Sequence, residues 1–241
     1  MTYCVGLLLN EGMVCLSDTR TNAGLDNISV YRKMFTFTEP GERVIVIMTA
    51  GSLSVTQTAL ARIDEATTDI DATAQTSILM APTILKVAEI VGRTLAETSQ
   101  QIAGRMGESA ASASASLILA GQRKDGEMRM FLIYPEGNFI EATADTPYLQ
   151  IGEHKYGKPI LDRVVTPETS LADATKAVLL SMDSTLRSNL SVGMPLDLCI
   201  IRKDDLRVSE QRRIEAQDEA FAQMSRSWSD ALRDAFTKIA I

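Results

Sequence analysis

Residues 2–20, TYCVGLLLNEGMVCLSDTR, decide the fold. Thr2–Leu9 is a strand-like apolar run, and a second run, Met13–Leu16, follows a tight turn and leads into SDTR. If Met1 is removed, Thr2 carries both a hydroxyl nucleophile and a free amine, which is one way to build a hydrolase without histidine or metal. The chain contains a single histidine, so its composition favours a mechanism that needs none.

Strand blocks and helix pairs alternate outward from this stretch. Periodicity and turn residues predict strands and turns over 2–50, two helices over 52–106, strands over 113–151, two helices over 155–164 and 170–188, a strand over 196–202, and a closing helix over about 212–239. Pro82 is expected at a kink or in a first helical turn, and the Ser/Ala segment 109–115 is expected to start a strand. This order predicts an α+β fold in one domain over residues 1–241, with two stacked sheets covered by helices on both outer faces.

The composition suits one large globular domain. The chain has 241 residues, of which 45% are hydrophobic and 23% charged. No apolar run approaches the roughly 18 residues of a membrane span, and the N-terminus lacks the basic segment of a secretory signal. Cys4, Cys15 and Cys199 are odd in number and contain no CxxC spacing, which predicts reduced, buried cysteines in a cytoplasmic protein.

The charge pattern argues against nucleic acid and membranes as partners. The formal net charge is −7, and the densest basic stretch, 202–213, is interleaved with acidic residues. We interpret this stretch as a solvated hairpin followed by a helix start. No metal site and no cofactor are expected.

Several segments, taken in order and spacing, resemble a known family. They are MTYCVG at 1–6, SDTR at 17–20, RK at 32–33, TAG at 49–51, LAGQRKDGEMRMFLIYPEGNF at 119–139 and IGEHKYGKPILDR at 151–163. Over essentially the whole chain they resemble proteasome β-type subunits, and MTYCVG, LSDTRTNAG and KYGKPILDR point to the bacterial ancestral β-subunit branch, Anbu, rather than to the HslV type. The resemblance implies an N-terminal-nucleophile hydrolase fold, a four-layer αββα sandwich of two antiparallel sheets.

The resemblance also implies a site and the role of each residue. Thr2 matches the N-terminal nucleophile, whose own α-amine is the base, since such an amine titrates at about 7.7–8.0 in peptides. Lys33 matches the active-site lysine, which favours the alkoxide, and Asp18 matches the acid that pairs with it. Gly51 matches the glycine whose backbone N–H faces the oxyanion, although a strand-to-helix turn explains it equally well. Ser191 matches a supporting serine.

Two positions depart from the family pattern. Ser188 stands where proteasome subunits usually have an aspartate, and Glu153 stands where another supporting serine follows the turn glycine Gly152. These changes weaken the orientation of the Thr2 amine or supply charge differently. Arg20 matches a basic residue beside the site, for which a structural salt bridge is an equal interpretation.

The resemblance further implies a pocket for the residue before the scissile bond. The matching positions are largely apolar and suggest an uncharged side chain, although each could equally be core: Thr21, Tyr31, Phe35, Thr49 and Leu53. The last helix carries an apolar stripe, interpreted as packing on its own sheet or as a subunit contact: Ile214, Phe221, Met224, Trp228, Leu232, Phe236 and Ile239. His154 is assigned no chemical role.

Three functions follow from these observations. The first is a threonine peptidase of the proteasome type, acting on peptides or unfolded proteins inside a homo-oligomeric ring or ring-like spiral. The second is a scaffold or binding chamber with the same fold and little hydrolysis. The third is an N-terminal-nucleophile amidase acting on a non-protein amide. The sequence leaves open whether an ATP-dependent unfoldase feeds the assembly.

Overall fold

An antiparallel hairpin begins the chain, with strand β1 (Tyr3–Leu9) paired to strand β2 (Gly12–Asp18). A computed structural model describes residues 1–22 and 28–240, so the predicted strands and turns of 2–50 are covered except at 23–27. Both hairpin strands are almost entirely buried, because each of their faces is covered by another layer.

The other elements follow in chain order. The strands are β3 (Arg20–Asn22), β4 (Ile28–Val30), β5 (Met34–Glu39), β6 (Arg43–Gly51), β7 (Ala115–Arg123), β8 (Arg129–Ile133), β9 (Phe139–Glu141), β10 (Tyr148–Gly152), β11 (Leu196–Arg202) and β12 (Glu210–Ile214). The helices are α1 (Leu53–Thr68), α2 (Ile84–Met106), α3 (Lys158–Val164), α4 (Leu171–Ser188) and α5 (Glu219–Lys238).

The strands form two five-stranded sheets and one small ribbon. The first sheet has the order β10-β1-β2-β11-β12, the second has the order β5-β6-β7-β8-β9, and β3 pairs with β4. All strand pairs are antiparallel. This arrangement confirms the predicted α+β class.

Three apolar cores separate four layers. One core lies between the first sheet and helices α3–α5, and contains Val5 and Val178. A second lies between the second sheet and helices α1 and α2, and contains Ile47 and Val91. The third fills the space between the two sheets. Because side chains alternate along a strand, one face of each sheet packs in the core between the sheets and the other face packs against helices. The predicted αββα sandwich is confirmed.

Side-chain caps fix the starts of three helices. Thr83 Oγ1 accepts a hydrogen bond from Lys86 N before α2, and Ser170 and Asp218 cap α4 and α5 in the same way. Pro82 therefore lies just outside α2, immediately before its cap, and not at a kink or in the first turn as predicted.

The closing helix begins later than predicted. Residues 210–214 form edge strand β12, and α5 begins only at Glu219 instead of near Arg212. Ile214 is buried opposite Leu196, and Arg213 Nε lies 2.8 Å from Asp197 Oδ1 on β11. The hairpin interpretation of 202–213 was correct, but sheet pairing replaces the helix start.

Two other element starts differ from the sequence prediction. Residues Gly107–Ser112 form a 3₁₀ helix, and β7 begins at Ala115, so segment 109–115 does not start a strand. Helix α3 begins at Lys158, three residues after the predicted start. Both differences lie at element ends, where local propensity is weak and tertiary packing decides.

The three cysteines are free and buried in the core between the sheets, with Cys15 directly opposite Cys199. They pack as small apolar residues, as predicted. Among residues 1–22 and 28–240, none of the helices has the length and apolar character that a membrane crossing requires.

Candidate active site

Backbone contacts from the end of β10 hold Thr2 in place. The Glu153 N–H donates a 2.7 Å hydrogen bond to the Thr2 carbonyl oxygen. Gly152 has φ = +81°, and a Cβ there would lie 1.9 Å from the same oxygen, so only glycine allows this approach. Thr2 is 9% exposed, whereas Met1 is 59% exposed. Met1 is therefore accessible to solvent, whereas Thr2 is held in place.

The structure brings Asp18 and Lys33 together. Lys33 Nζ donates to Asp18 Oδ1 at 2.8 Å and to the Arg20 carbonyl oxygen at 2.5 Å. Both side chains are buried, with Asp18 at the end of β2 and Lys33 directly before β5. An ammonium buried this deeply needs such a partner, because an unpaired one would neutralise.

The Asp18 carboxylate also organises the backbone around it. It accepts hydrogen bonds from Tyr3 N at 3.1 Å and from Gly193 N at 3.2 Å. Burial is the largest influence and raises the pKa of Asp18, whereas Lys33 and these two N–H donors lower it. One carboxylate thus links the start of β1, the lysine and the loop that precedes β11.

Gly51 ends β6 beside Thr2, in a conformation that excludes other residues. Its φ is +109°, and a Cβ would lie 2.4 Å from the Ser114 carbonyl oxygen. Glycine is required here for backbone reasons alone, as the strand-to-helix interpretation expects.

Thr2, Lys33 and Gly51 line one cavity of about 550 Å³. Its other lining residues are Met1, Thr21, Thr49, Ala50, Leu53, Thr56 and Gly152. The lining is largely apolar and includes three threonines besides Thr2. Ala50 and Thr56 were not predicted. The signal for Thr56 is its spacing of three residues from Leu53 at the start of α1.

Tyr31 and Phe35 differ from their predicted position. Among the described residues, they line a separate cavity of about 530 Å³ between β5 and α1, and not the Thr2 cavity. For Phe35, strand alternation is the reason, because Met34 faces the core between the sheets while Phe35 packs on the other side against the α1–α2 core. Tyr31 lies before β5 and is exposed.

Ser191 lies in the loop after α4, outside the described lining of the Thr2 cavity. Its N–H donates to Asn189 Oδ1 at 2.9 Å, and Arg20 Nη1 donates to the Leu190 carbonyl oxygen at 2.9 Å. In the described part of the chain, Arg20 thus supports the loop through a carbonyl and not through the suggested salt bridge. The loop reaches the site through Gly193 and its bond to Asp18.

His154 lies in an exposed turn, where its Nδ1 is 3.2 Å from the Gly152 carbonyl oxygen. Within the described part of the chain, no group of three or more His, Cys, Asp or Glu side chains is arranged to hold a metal ion. The chemistry available in the cavity is therefore that of a hydroxyl, a buried lysine–aspartate pair and backbone N–H groups.

Comparison with known proteins identifies the family of this arrangement. The family model for the proteasome subunit matches residues 2–201. Comparison with curated proteins gives no match.

Solved structures of bacterial Anbu proteins are similar along the whole chain. A Gly-1 mutant of Anbu from Hyphomicrobium sp. strain MC1 is 48% identical, with a TM-score of 0.93 and coverage of 100% of this chain and 99% of that one. Anbu, the ancestral β-subunit, from Yersinia bercovieri is 41% identical, with a TM-score of 0.93 and coverage of 99% and 98%. The helical assembly of the Anbu complex from Pseudomonas aeruginosa is 41% identical, with a TM-score of 0.92 and coverage of 99% and 97%. The predicted resemblance is confirmed.

Proposed function

Because this chain belongs to the proteasome subunit family and is similar to Anbu proteins along its whole length, we propose that it is a threonine-type endopeptidase of the cytoplasm. Its nucleophile is Thr2, exposed as the first residue once Met1 has been removed. Its substrates are peptides or unfolded proteins, and the 550 Å³ cavity receives the side chain before the scissile bond.

The proposed mechanism uses only groups of this chain. The Thr2 amine takes the proton of the Thr2 hydroxyl as Oγ1 attacks the peptide carbonyl, and then gives it to the leaving amine as the acyl-enzyme ester forms. Water activated by the same amine hydrolyses the ester. Lys33 stabilises the developing alkoxide, and the Gly51 N–H stabilises the oxyanion, a donor whose removal typically costs about 2.7–4 kcal/mol.

One observation carries the proposal. Lys33, fixed by Asp18 at 2.8 Å, shares a cavity with Thr2 and Gly51 and is 4% exposed. A cation held rigidly beside a hydroxyl in a largely apolar cavity acts at low effective dielectric, where it favours a negative charge strongly. A surface lysine–aspartate pair would have neither the burial nor the shared cavity.

The first test is chemical capture of Thr2. Intact mass identifies the protein lacking Met1, which is then treated with an electrophile that captures N-terminal threonine and mapped by peptide mass. We expect the adduct on Thr2, and we expect Thr2→Ala and Lys33→Ala to abolish both the adduct and peptide cleavage. Thr68→Ala, an exposed threonine at the end of α1, is the matched control that keeps both.

Two results would contradict the proposal. One is retention of Met1 on most molecules from the native host, since the Thr2 amine would then be in a peptide bond. The other is a Thr2→Ala variant that cleaves peptides as fast as the parent. An adduct on Thr2 with turnover of a small amide but of no peptide would favour the amidase alternative instead.

We further propose that the chain assembles into a homo-oligomer, either a ring or a ring-like spiral. The support is its similarity to the Anbu complex from Pseudomonas aeruginosa, which is described as a helical assembly.

A further inference from the structure

Glu153 is a buried carboxylate without a cationic partner. The residue is 8% exposed, and its one side-chain hydrogen bond in the described part of the chain comes from Asn189 Nδ2, at 3.1 Å from Oε2. Within those same residues, no lysine or arginine nitrogen lies within 4 Å of it. Burying a charge without a counter-charge is costly, and a neutral amide offsets only part of that cost.

The backbone places Glu153 directly beside Thr2. Its N–H donates to the Thr2 carbonyl oxygen at 2.7 Å, one residue beyond the Tyr3–Gly152 pair of the sheet. The Thr2 α-nitrogen is separated from that carbonyl carbon only by Cα. Removal of Met1 therefore creates a new amino group within reach of a glutamate side chain that starts from the neighbouring backbone.

In the described part of the chain, Lys33 is the basic residue that lines the Thr2 cavity, and it already has an acidic partner. Lys33 is paired with Asp18, and Arg20 donates to the Leu190 carbonyl oxygen. Among the described residues, Glu153 is thus a carboxylate without a cationic partner, on the residue whose N–H binds Thr2, and a Thr2 ammonium would provide that partner. His154 is adjacent but exposed, with its ring turned to the Gly152 carbonyl.

The loop after α4 connects Glu153 to the rest of the site. Asn189 follows the exposed Ser188, donates to Glu153, and accepts from the Ser191 N–H at 2.9 Å. Proteasome subunits usually have an aspartate at the position of Ser188. Here Glu153, directly after β10, provides this loop with an acidic group instead. The two departures from the family pattern meet at one place in the structure.

We propose that Glu153 is a positioning residue for the Thr2 α-amine. Its carboxylate, held by Asn189, accepts a hydrogen bond from the amine and orients the nitrogen toward the Thr2 hydroxyl. A hydrogen bond between charged partners is about twice as strong as a neutral one, and it favours the ammonium form. The inference rests on the proposed function for the removal of Met1 and for its consequence in catalysis.

The test measures the amine itself as well as turnover. In protein lacking Met1, the rate of α-amine acetylation against pH gives the midpoint of amine ionisation, and kcat/KM for a peptide is measured over the same range. Glu153→Gln should lower the midpoint by about half a pH unit or more, because one negative charge near the ammonium is lost. It should also lower the plateau of kcat/KM about tenfold through lost orientation.

Two further variants distinguish the effect of the Glu153 charge from the effect of its bond to the loop after α4. Asn189→Ala removes the contact to the loop but keeps the carboxylate, so the plateau should fall while the midpoint stays above that of Glu153→Gln. Glu153→Asp keeps the charge and should return the midpoint toward the parent value.

Equal midpoints in the parent and Glu153→Gln would overturn the proposal, as would identical profiles for Glu153→Gln and Asn189→Ala. A shifted amine midpoint without peptide cleavage in any variant would support the pairing and reject the proposed peptidase.

Discussion

Tyr3, the residue after Thr2, anchors the start of β1 through its phenol. The side chain is 0% exposed, its hydroxyl lies 2.6 Å from Ser181 Oγ, and it accepts a 2.6 Å hydrogen bond from Gln150 Nε2. Burial is the largest influence on this group and raises the pKa of Tyr3 to about 12. The protonated phenol therefore bonds to both helix α4 and strand β10. These two hydrogen bonds hold Tyr3, the residue next to the proposed nucleophile, in place.

The raised pKa predicts an alkaline dependence of stability. A group with a higher pKa in the folded state binds its proton more tightly there, so this contribution is complete below about pH 10 and is lost toward about pH 12. Tyr3→Phe should be less stable than the parent by about 1–3 kcal/mol near neutral pH, because two buried polar partners lose their bond. The difference should narrow as pH rises.

Chemical denaturation from about pH 8 to about pH 11 measures this difference. Tyr156→Phe, at an exposed tyrosine, controls for the loss of one phenol. A Tyr3→Phe deficit that stays constant over the whole range would contradict the assignment.

The family resemblance predicted the contact between Asp18 and Lys33, whereas two of its five pocket residues lie elsewhere. Asp18 and Lys33 were recognisable because each stands in a short motif at a fixed distance from Thr2, and the structure joins them at 2.8 Å. Phe35 lies away from the Thr2 cavity because a one-residue change of position along a strand reverses the face of the sheet. Glu153 was recognisable only as a departure, since its bond to Asn189 joins residues 36 positions apart.

At the scale of elements, the cap decides where α5 begins. Asp218 accepts a 2.7 Å hydrogen bond from Phe221 N, and Phe221 packs against the core between the first sheet and its helices. The residues before it have a pattern that suits a helix start or an exposed edge strand equally well. Only the pairing of 210–214 with β11, a long-range contact, distinguishes the two.

Loss of the Asp218 cap should destabilise α5 locally. Asp218→Ala should lower the free energy of unfolding by about 1 kcal/mol, and amide exchange should speed up most in the first turn of α5. Asp230→Ala, in the middle of the same helix and exposed, should change little, because surface ion pairs contribute weakly. Denaturant unfolding and hydrogen exchange of both variants check this. Equal effects of the two substitutions would show that the Asp218 carboxylate does not act as a cap.

At the scale of the whole molecule, the order of strand blocks and helix pairs predicted the layers but not the strand order. The structure agrees with that prediction, since both faces of the β1–β2 hairpin are buried. The order β10-β1-β2-β11-β12 brings residues 3 and 152 together, and periodicity has no information on such partners. The family resemblance supplied that part of the prediction, because it carries a topology that local patterns cannot.

The exposed C-terminal half of α5 leads to the last prediction, which concerns the assembly of the chain. Phe221 and Met224 pack on the core, as the first interpretation of the stripe expected, whereas Leu232, Phe236 and Ile239 are 50%, 79% and 72% exposed. Leu232 and Phe236 are four residues apart on one face of the helix, and Ile239 follows directly after its end. Exposed apolar side chains grouped in this way are typical of a surface that contacts another protein.

If this surface joins copies of the chain, the double variant Leu232→Glu, Phe236→Glu should reduce the mass of the assembly in light scattering and leave the circular dichroism spectrum unchanged. Each glutamate would place a charge in an apolar contact and oppose its burial. Ile70→Glu, at a side chain that is 98% exposed in the loop after α1, is the matched control and should keep the parent mass. An unchanged mass in the double variant would assign self-association to other surfaces, and an equal loss with Ile70→Glu would make the effect one of added charge alone.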